Sequence, residues 1–106
     1  MKIELLYFDG CPNYEALVPQ LRGILAREGI ETDVQLRRVE TQEQAARLRF
    51  LGSPTVRVGG SDVEEAATAR RDFGLKCRLY WTLSGLQGAP PDEWILAAVR
   101  DRARQR

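Results

Sequence analysis

The residues with the most chemical potential in this chain are its two cysteines, Cys11 and Cys77. The chain has no histidine. Imidazole metal sites, histidine-dependent triads and histidine proton shuttles are therefore excluded, and sulfur is left as the best nucleophile and soft-metal ligand. Cys11 lies in Asp9-Gly10-Cys11-Pro12-Asn13-Tyr14, just after an apolar run and just before a helical pattern. A cysteine at the first turn of a helix meets unsatisfied backbone N–H groups and the positive end of the dipole. Such a site lowers a thiol pKa from about 8.5 to roughly 3.5–7.5. The chemistry expected at Cys11 is thus that of a thiolate, which attacks a disulfide or oxidised thiol or captures a soft metal. Its loop position between Gly10 and Pro12 predicts an exposed side chain. Asp9 either accepts a proton beside Cys11 or caps the turn. Tyr14, one helical turn on, either hydrogen-bonds a bound thiol or packs at the core edge.

The elements that hold Cys11 follow from hydrophobic periodicity. Residues 2–8, with Ile3, Leu5, Leu6, Tyr7 and Phe8, read as a buried strand. A helix opens at Cys11, with Pro12 at its first position and Leu17, Leu21, Ile24 and Leu25 on one face; it closes near residue 28 before Gly29. Pro19 deletes one hydrogen bond inside it and predicts a kink. Residues 31–39 read as a second strand, and Thr41-x-x-Gln44 as the capping box of a helix over 42–49. Ser53-Pro54 is a turn, Thr55–Val58 a third strand and Gly59-Gly60 a break. Residues 61–71 read as one or two helical turns, 76–82 as a fourth strand and 84–89 as a loop. Pro90-Pro91-Asp92-Glu93 starts a last helix whose core face is Trp94, Ile95, Ala98 and Val99. Arg100, Arg102, Arg104 and Arg106 complement the negative end of its dipole. Tyr80, Trp81 and Trp94 are expected to pack. The resulting order, β-α-β-α-β-β-α, gives an α/β fold: a four-stranded mixed sheet with a parallel first pair, an antiparallel third and fourth pair, and helices on both faces.

The first strand, the Cys11-Pro12-Asn13-Tyr14 turn, Pro19 eight residues after the cysteine, and Ser53-Pro54-Thr55 ahead of a strand together resemble the thioredoxin superfamily over nearly the whole chain. That resemblance implies a thioredoxin-like fold in which Pro54 is cis and faces Cys11. It implies that the Ser53 backbone offers a strand-like pairing edge to an extended peptide or thiol partner. Pro12, Asn13, Tyr14, Ser53, Pro54 and Thr55 then line the substrate site, Asn13 and the helix N-terminus stabilise the thiolate, and no cofactor is needed. Tyr14 stands where the dithiol motif has its second cysteine, so a local Cys-x-x-Cys disulfide is impossible and the chain looks like the monothiol members. It is also similar to small bacterial thioredoxin-like proteins with a Gly-Cys-Pro-Asn turn, a Leu-Gly-Ser-Pro-Thr segment and a later Cys-Arg-Leu-Tyr, here Gly10–Asn13, Leu51–Thr55 and Cys77–Tyr80. Some of these carry alkylmercury-lyase or general redox labels, which imply soft-metal or thiol chemistry.

Cys77 has two placements. If 76–82 is a strand of the sheet, Cys77 begins it at the end away from Cys11, about 10–15 Å off at 3.3 Å per residue. A disulfide needs Cα atoms within about 7 Å, so Cys77 is then an inert packed thiol. However, residues 59–76 are longer than a hairpin requires. Folded back over the site, they bring Cys77 to Cys11 as a resolving thiol or co-ligand.

The bulk properties fit one domain over residues 1–106, with 59–76 inserted between the third and fourth strands. Hydrophobic residues make up 43%, charged residues 29%, and the net charge is +1. Such a charge gives no drive toward nucleic acid or an anionic membrane. No run approaches the ~18 apolar residues of a membrane span, and the N-terminus is too short and too quickly acidic for a signal peptide. A cytoplasmic setting is expected, where cysteines are reactive or metal-binding more often than permanent staples. Edge strands permit a monomer or a weak dimer. Neither Asp72-Phe73-Gly74 nor Gly59-Gly60 has the context of a kinase or phosphate loop. The functions that remain are a monothiol redox protein acting on a thiol or disulfide substrate through Cys11, with Cys77 or an external thiol to resolve; a soft-metal or organomercurial trap without turnover; and a non-catalytic interaction domain.

Overall fold

Alternation along the first strand builds the centre of the molecule. In the computed structural model, which describes residues 1–104, β1 (Ile3–Tyr7) is one of the two inner strands of a four-stranded sheet. Its successive side chains point to opposite faces. Ile3 and Leu5 enter one core with Leu17, Leu21, Ile24, Val56, Ile95 and Val99, whereas Leu6 enters a second with Val39, Ala45 and Phe50. α1 (Tyr14–Arg27) and α3 (Asp92–Arg104) therefore cover one face, and α2 (Gln42–Leu48) covers the other. β2 (Val34–Arg38) runs parallel to β1 with Ile3 opposite Val34, while β3 (Thr55–Val58) runs antiparallel with Ile3 opposite Val58. This is an α/β fold with a four-stranded mixed sheet and three helices. Among the described residues, no helix is long and apolar enough to cross a membrane.

Local chemistry explains most boundaries. The Thr41 hydroxyl accepts the Gln44 N–H at 3.0 Å, and the Gln44 side chain accepts the Glu40 N–H at 2.8 Å, so α2 begins where the capping pattern places it. α1 runs through Pro19. It starts at Tyr14 rather than at Cys11, with Asn13 as a cap residue whose side chain makes no cap bond. Glu28 receives a two-pronged contact from Arg100, at 2.8 and 3.1 Å, which ties the end of α1 to α3. Arg106 lies outside the described residues.

The fourth strand corrects the sequence reading. β4 is Ser61–Asp62, not residues 76–82. Gly59 and Gly60 both have positive φ, 60° and 86°, and Val58 pairs with Ser61. A two-residue hairpin of this kind needs left-handed backbone at both positions, which glycine adopts without strain. The chain thus turns at once and takes the edge of the sheet itself. The segment expected to be the fourth strand forms a separate hairpin, β5 (Tyr80–Thr82) with β6 (Gly85–Gln87), where a loop was expected. Trp81 does not pack as expected: it is 73% exposed, on the outer side of this hairpin with Leu79 and Leu86 also exposed. Tyr80, on the other side, is fully buried.

Candidate functional site

The site forms where the end of β1 meets the loop before β3. The Cys11 N–H donates to the Phe8 carbonyl at 3.2 Å, closing a tight turn. A Cβ at Gly10 would stand 2.3 Å from the Phe8 ring, so the ring can fold over the turn only because residue 10 is glycine. Across from it, the Ser53–Pro54 peptide bond is cis, and the Cys11 Sγ lies 3.6 Å from the Ser53 carbonyl oxygen.

Residues 63–79 follow β4 and, after a last bond from the Val63 N–H to the Val56 carbonyl at 3.1 Å, return as a strap over this loop. Gly74 donates to the Phe50 carbonyl at 3.0 Å, and Leu75 donates to the Gln42 side chain at 3.0 Å. Ser53 then pairs with the strap on both sides. Its N–H donates to the Lys76 carbonyl, and its carbonyl accepts the Arg78 N–H, each at 2.8 Å. Ser53 and Cys77 thus form an isolated parallel bridge. Gly52 allows this approach, since a Cβ there would meet Arg78 Cβ and the Lys76 carbonyl at 3.0 Å. Cys77 is carried to Cys11, the Cα atoms are 5.5 Å apart, and the two cysteines form a disulfide across 66 residues.

Of the two placements open to Cys77, the structure takes the one folded back over the site, because its segment is not part of the four-stranded sheet. One expectation is corrected. Cys11 is fully buried rather than exposed, because the strap covers it. It also precedes the first turn of α1 instead of lying within it.

The other expected site residues divide into groups. Ser53 and Thr55 are buried beside the cysteines, and Thr55 Oγ1 donates to the Gly52 carbonyl at 2.7 Å. The Pro54 carbonyl accepts the Tyr80 hydroxyl. Ser53 Oγ is buried without a partner. Pro12 and Asn13 are exposed on the outer side of the turn, with the Asn13 side chain against Gly88. Tyr14 stacks on Tyr7 at 4.1 Å between ring centres. Asp9 is exposed and ion-paired to Arg38 at 3.1 Å.

One functional candidate, Arg78, gives no signal in the sequence. Its guanidinium is completely buried and forms a fork with Asp62, at 2.8 and 3.0 Å. It also reaches Glu64 at 2.8 Å and Thr55 Oγ1 at 3.0 Å, and stacks over the Tyr80 ring at 4.5 Å. Burial alone would lower its pKa, but the Asp62 hydrogen bonds, Tyr80 and Glu64 outweigh that and hold it above the ordinary arginine value. Nothing in the local pattern of Cys77-Arg78-Leu79 marks an arginine for burial, because its carboxylate partners stand 14 and 16 residues away.

Comparison of the chain with family models, curated proteins and solved structures returns no match. Among the described residues, no group of three or more His, Cys, Asp or Glu is placed to hold a metal ion. The site can form and break one disulfide between sequence-distant cysteines, of which Cys11 is buried and Cys77 exposed, with a backbone pairing surface at Ser53 already occupied by the chain itself.

Proposed function

We propose that the protein is a thioredoxin-like thiol–disulfide redox protein whose working couple is Cys11 and Cys77. The observation that carries this reading is the 5.5 Å Cα separation of two cysteines 66 residues apart, set across a cis Ser53–Pro54 loop. The sheet order β2-β1-β3-β4, the helices on both faces and the position of Cys11 between β1 and α1 support the thioredoxin-like assignment. The second thiol comes from the strap, not from position 14, so the monothiol form expected from Tyr14 gives way to a two-cysteine form.

In the reduced protein, the thiolate of Cys77, which is exposed on the strap whereas Cys11 is buried beneath it, attacks one sulfur of a disulfide partner. A mixed disulfide forms at Cys77, and the partner's other sulfur leaves as a thiolate that takes up a proton. The Cys11 thiolate then attacks the Cys77 sulfur, releases the second partner thiol and closes the Cys11–Cys77 bond, the reverse of the order expected from the turn at Cys11. Two electrons and two protons pass from the cysteine pair to the partner, and the reverse sequence oxidises a dithiol. A reducing cytoplasm would return the pair to the thiol form between turnovers.

Reduced protein mixed with glutathione disulfide and followed by mass spectrometry tests this. The expected product is the internal disulfide with two glutathiones released; Cys11→Ser is expected to stop at a mixed disulfide on Cys77. Inert thiols, or equal glutathione adducts on both cysteines of the wild type, would overturn the reading. Retention of one Hg(II) per reduced chain without exchange would favour the soft-metal trap instead.

A further inference from the structure

The contacts that hold the strap do not depend on the sulfur–sulfur bond. The two Ser53 hydrogen bonds, the Gly74–Phe50 and Leu75–Gln42 bonds and the Arg78 ion cluster involve neither sulfur. Of these, only Arg78 places a formal charge in the interior. Along the extended strap, neighbouring side chains point to opposite sides. The Cys77 sulfur faces Cys11, and the next side chain drives its guanidinium the other way, onto Asp62 and Glu64. The Cys77 main chain is thereby fixed from both sides. Asp62 belongs to β4, and Glu64, two residues on, donates its N–H to Asp62 Oδ1 at 2.8 Å, so both carboxylates are tied to the sheet edge. A buried ion cluster adds little net stability over a well-packed apolar substitute, yet it strongly opposes any geometry that separates its members. That property suits a residue whose task is to fix position.

On the reading that Cys11 and Cys77 are a redox couple, we infer that Arg78 is a positioning residue. Its contacts with Asp62 and Glu64 hold Cys77 against Cys11 in the reduced protein and set how strongly the pair prefers the disulfide. A thiol held in place attacks at a high effective concentration. Linkage makes the effect reciprocal: whatever the Arg78 cluster adds to disulfide formation, the disulfide adds to docking of the strap. The effect falls on the second step, in which Cys11 closes the bond onto Cys77, because the first is made by the exposed Cys77 thiol itself.

The test equilibrates the full chain in glutathione buffers, quenches with acid and alkylating agent, and measures the exchange constant for the internal disulfide. Arg78→Gln is expected to lower that constant roughly 10- to 100-fold. Arg78→Lys, which keeps the charge but loses the fork, should recover part of the loss. Glu64→Gln removes one arm and should fall between wild type and Arg78→Gln, and it carries the test with Arg78→Lys if Arg78→Gln does not fold. In a Cys11→Ser background, Arg78→Lys should leave the rate of glutathione adduct formation at the exposed Cys77 within about twofold. An exchange constant unchanged within about twofold in folded variants, with thermal stability lowered, would overturn the proposal and leave Arg78 a purely structural residue. If wild type forms no internal disulfide in any glutathione buffer, the redox reading itself fails, which is a different result.

Discussion

The sheet and the strap are held by opposite means. β1, β3, α1 and α3 meet through apolar side chains at regular spacing, and Ile3, Leu5, Leu21, Ile24, Val56 and Ile95 are all fully buried. The strap buries few apolar groups of its own. It is held by a disulfide, a backbone bridge at Ser53 and the Arg78 cluster. Hydrophobic burial is non-directional and survives small displacements, whereas polar contacts fail together when geometry is lost. The molecule therefore places its reactive bond at the seam between a tolerant body and an exacting strap.

The largest effect expected is on the body. Leu21→Ala should cost about 2–5 kcal/mol through lost transfer energy and a cavity. Urea unfolding should show the same loss in the oxidised and the reduced protein, since Leu21 packs in the core of the body and takes no part in the contacts that seat Cys77. A loss confined to one redox state would break the contrast.

Next is the bond between the two regions. Closing a 66-residue loop limits the unfolded chain and stabilises by up to about 4 kcal/mol on the chain-entropy account. Urea unfolding with and without reductant should show a drop of about 2–4 kcal/mol. A drop near zero would mean that the unfolded reduced chain keeps the strap close to the body.

A smaller effect belongs to Tyr80, whose hydroxyl donates to the Pro54 carbonyl. Tyr80→Phe should cost about 1 kcal/mol at neutral pH. Burial holds the Tyr80 phenol well above its ordinary value in the folded protein. Because the folded pKa is the higher one, its contribution is whole below the unfolded value of about 10 and is lost as pH rises beyond it. Urea midpoints taken from pH 8 to 11 should fall more steeply for wild type than for Tyr80→Phe, and parallel curves would remove Tyr80 as the cause.

The smallest effect is at the strap's surface. Hydrogen bonds from Arg70 and then Lys76 hold the Asp72 carboxyl well below the usual carboxylate range. All three side chains are substantially exposed, so Asp72→Asn should change stability by no more than about 0.5 kcal/mol. What it contributes is present above the ordinary carboxylate pKa of about 3.9 and is lost as pH falls below it. Salt should erase the difference, and an effect above 1 kcal/mol in the urea midpoint would show that surface charge helps seat the strap.

The same contrast explains what was legible in the sequence. β1, the buried face of α1, the Thr41–Gln44 cap and β3 announce themselves through periodicity and local hydrogen-bonding chemistry. Cys11 was marked by its turn. Its burial was not, because the strap that covers it comes from 63–79. Residues 76–82 carry strand-like alternation, and their backbone is indeed extended at the Ser53 bridge and in β5. Their partners could not be read, because the Gly59-Gly60 turn gives the sheet edge to two residues with no hydrophobic signature. Arg78 was invisible for a related reason: its burial depends on Asp62 and Glu64, and a charge cluster across that distance leaves no period.

The double use of Ser53 has one more consequence. An exposed main-chain N–H and C=O pair invites strand addition by another molecule. Here both groups are taken by Lys76 and Arg78. The chain complements its own open position with a strand of its own, so the loop beside the cysteines offers no template for a neighbour while the strap is seated. Crowding many copies together should not join them at this point, because each molecule has already answered the demand that aggregation would exploit.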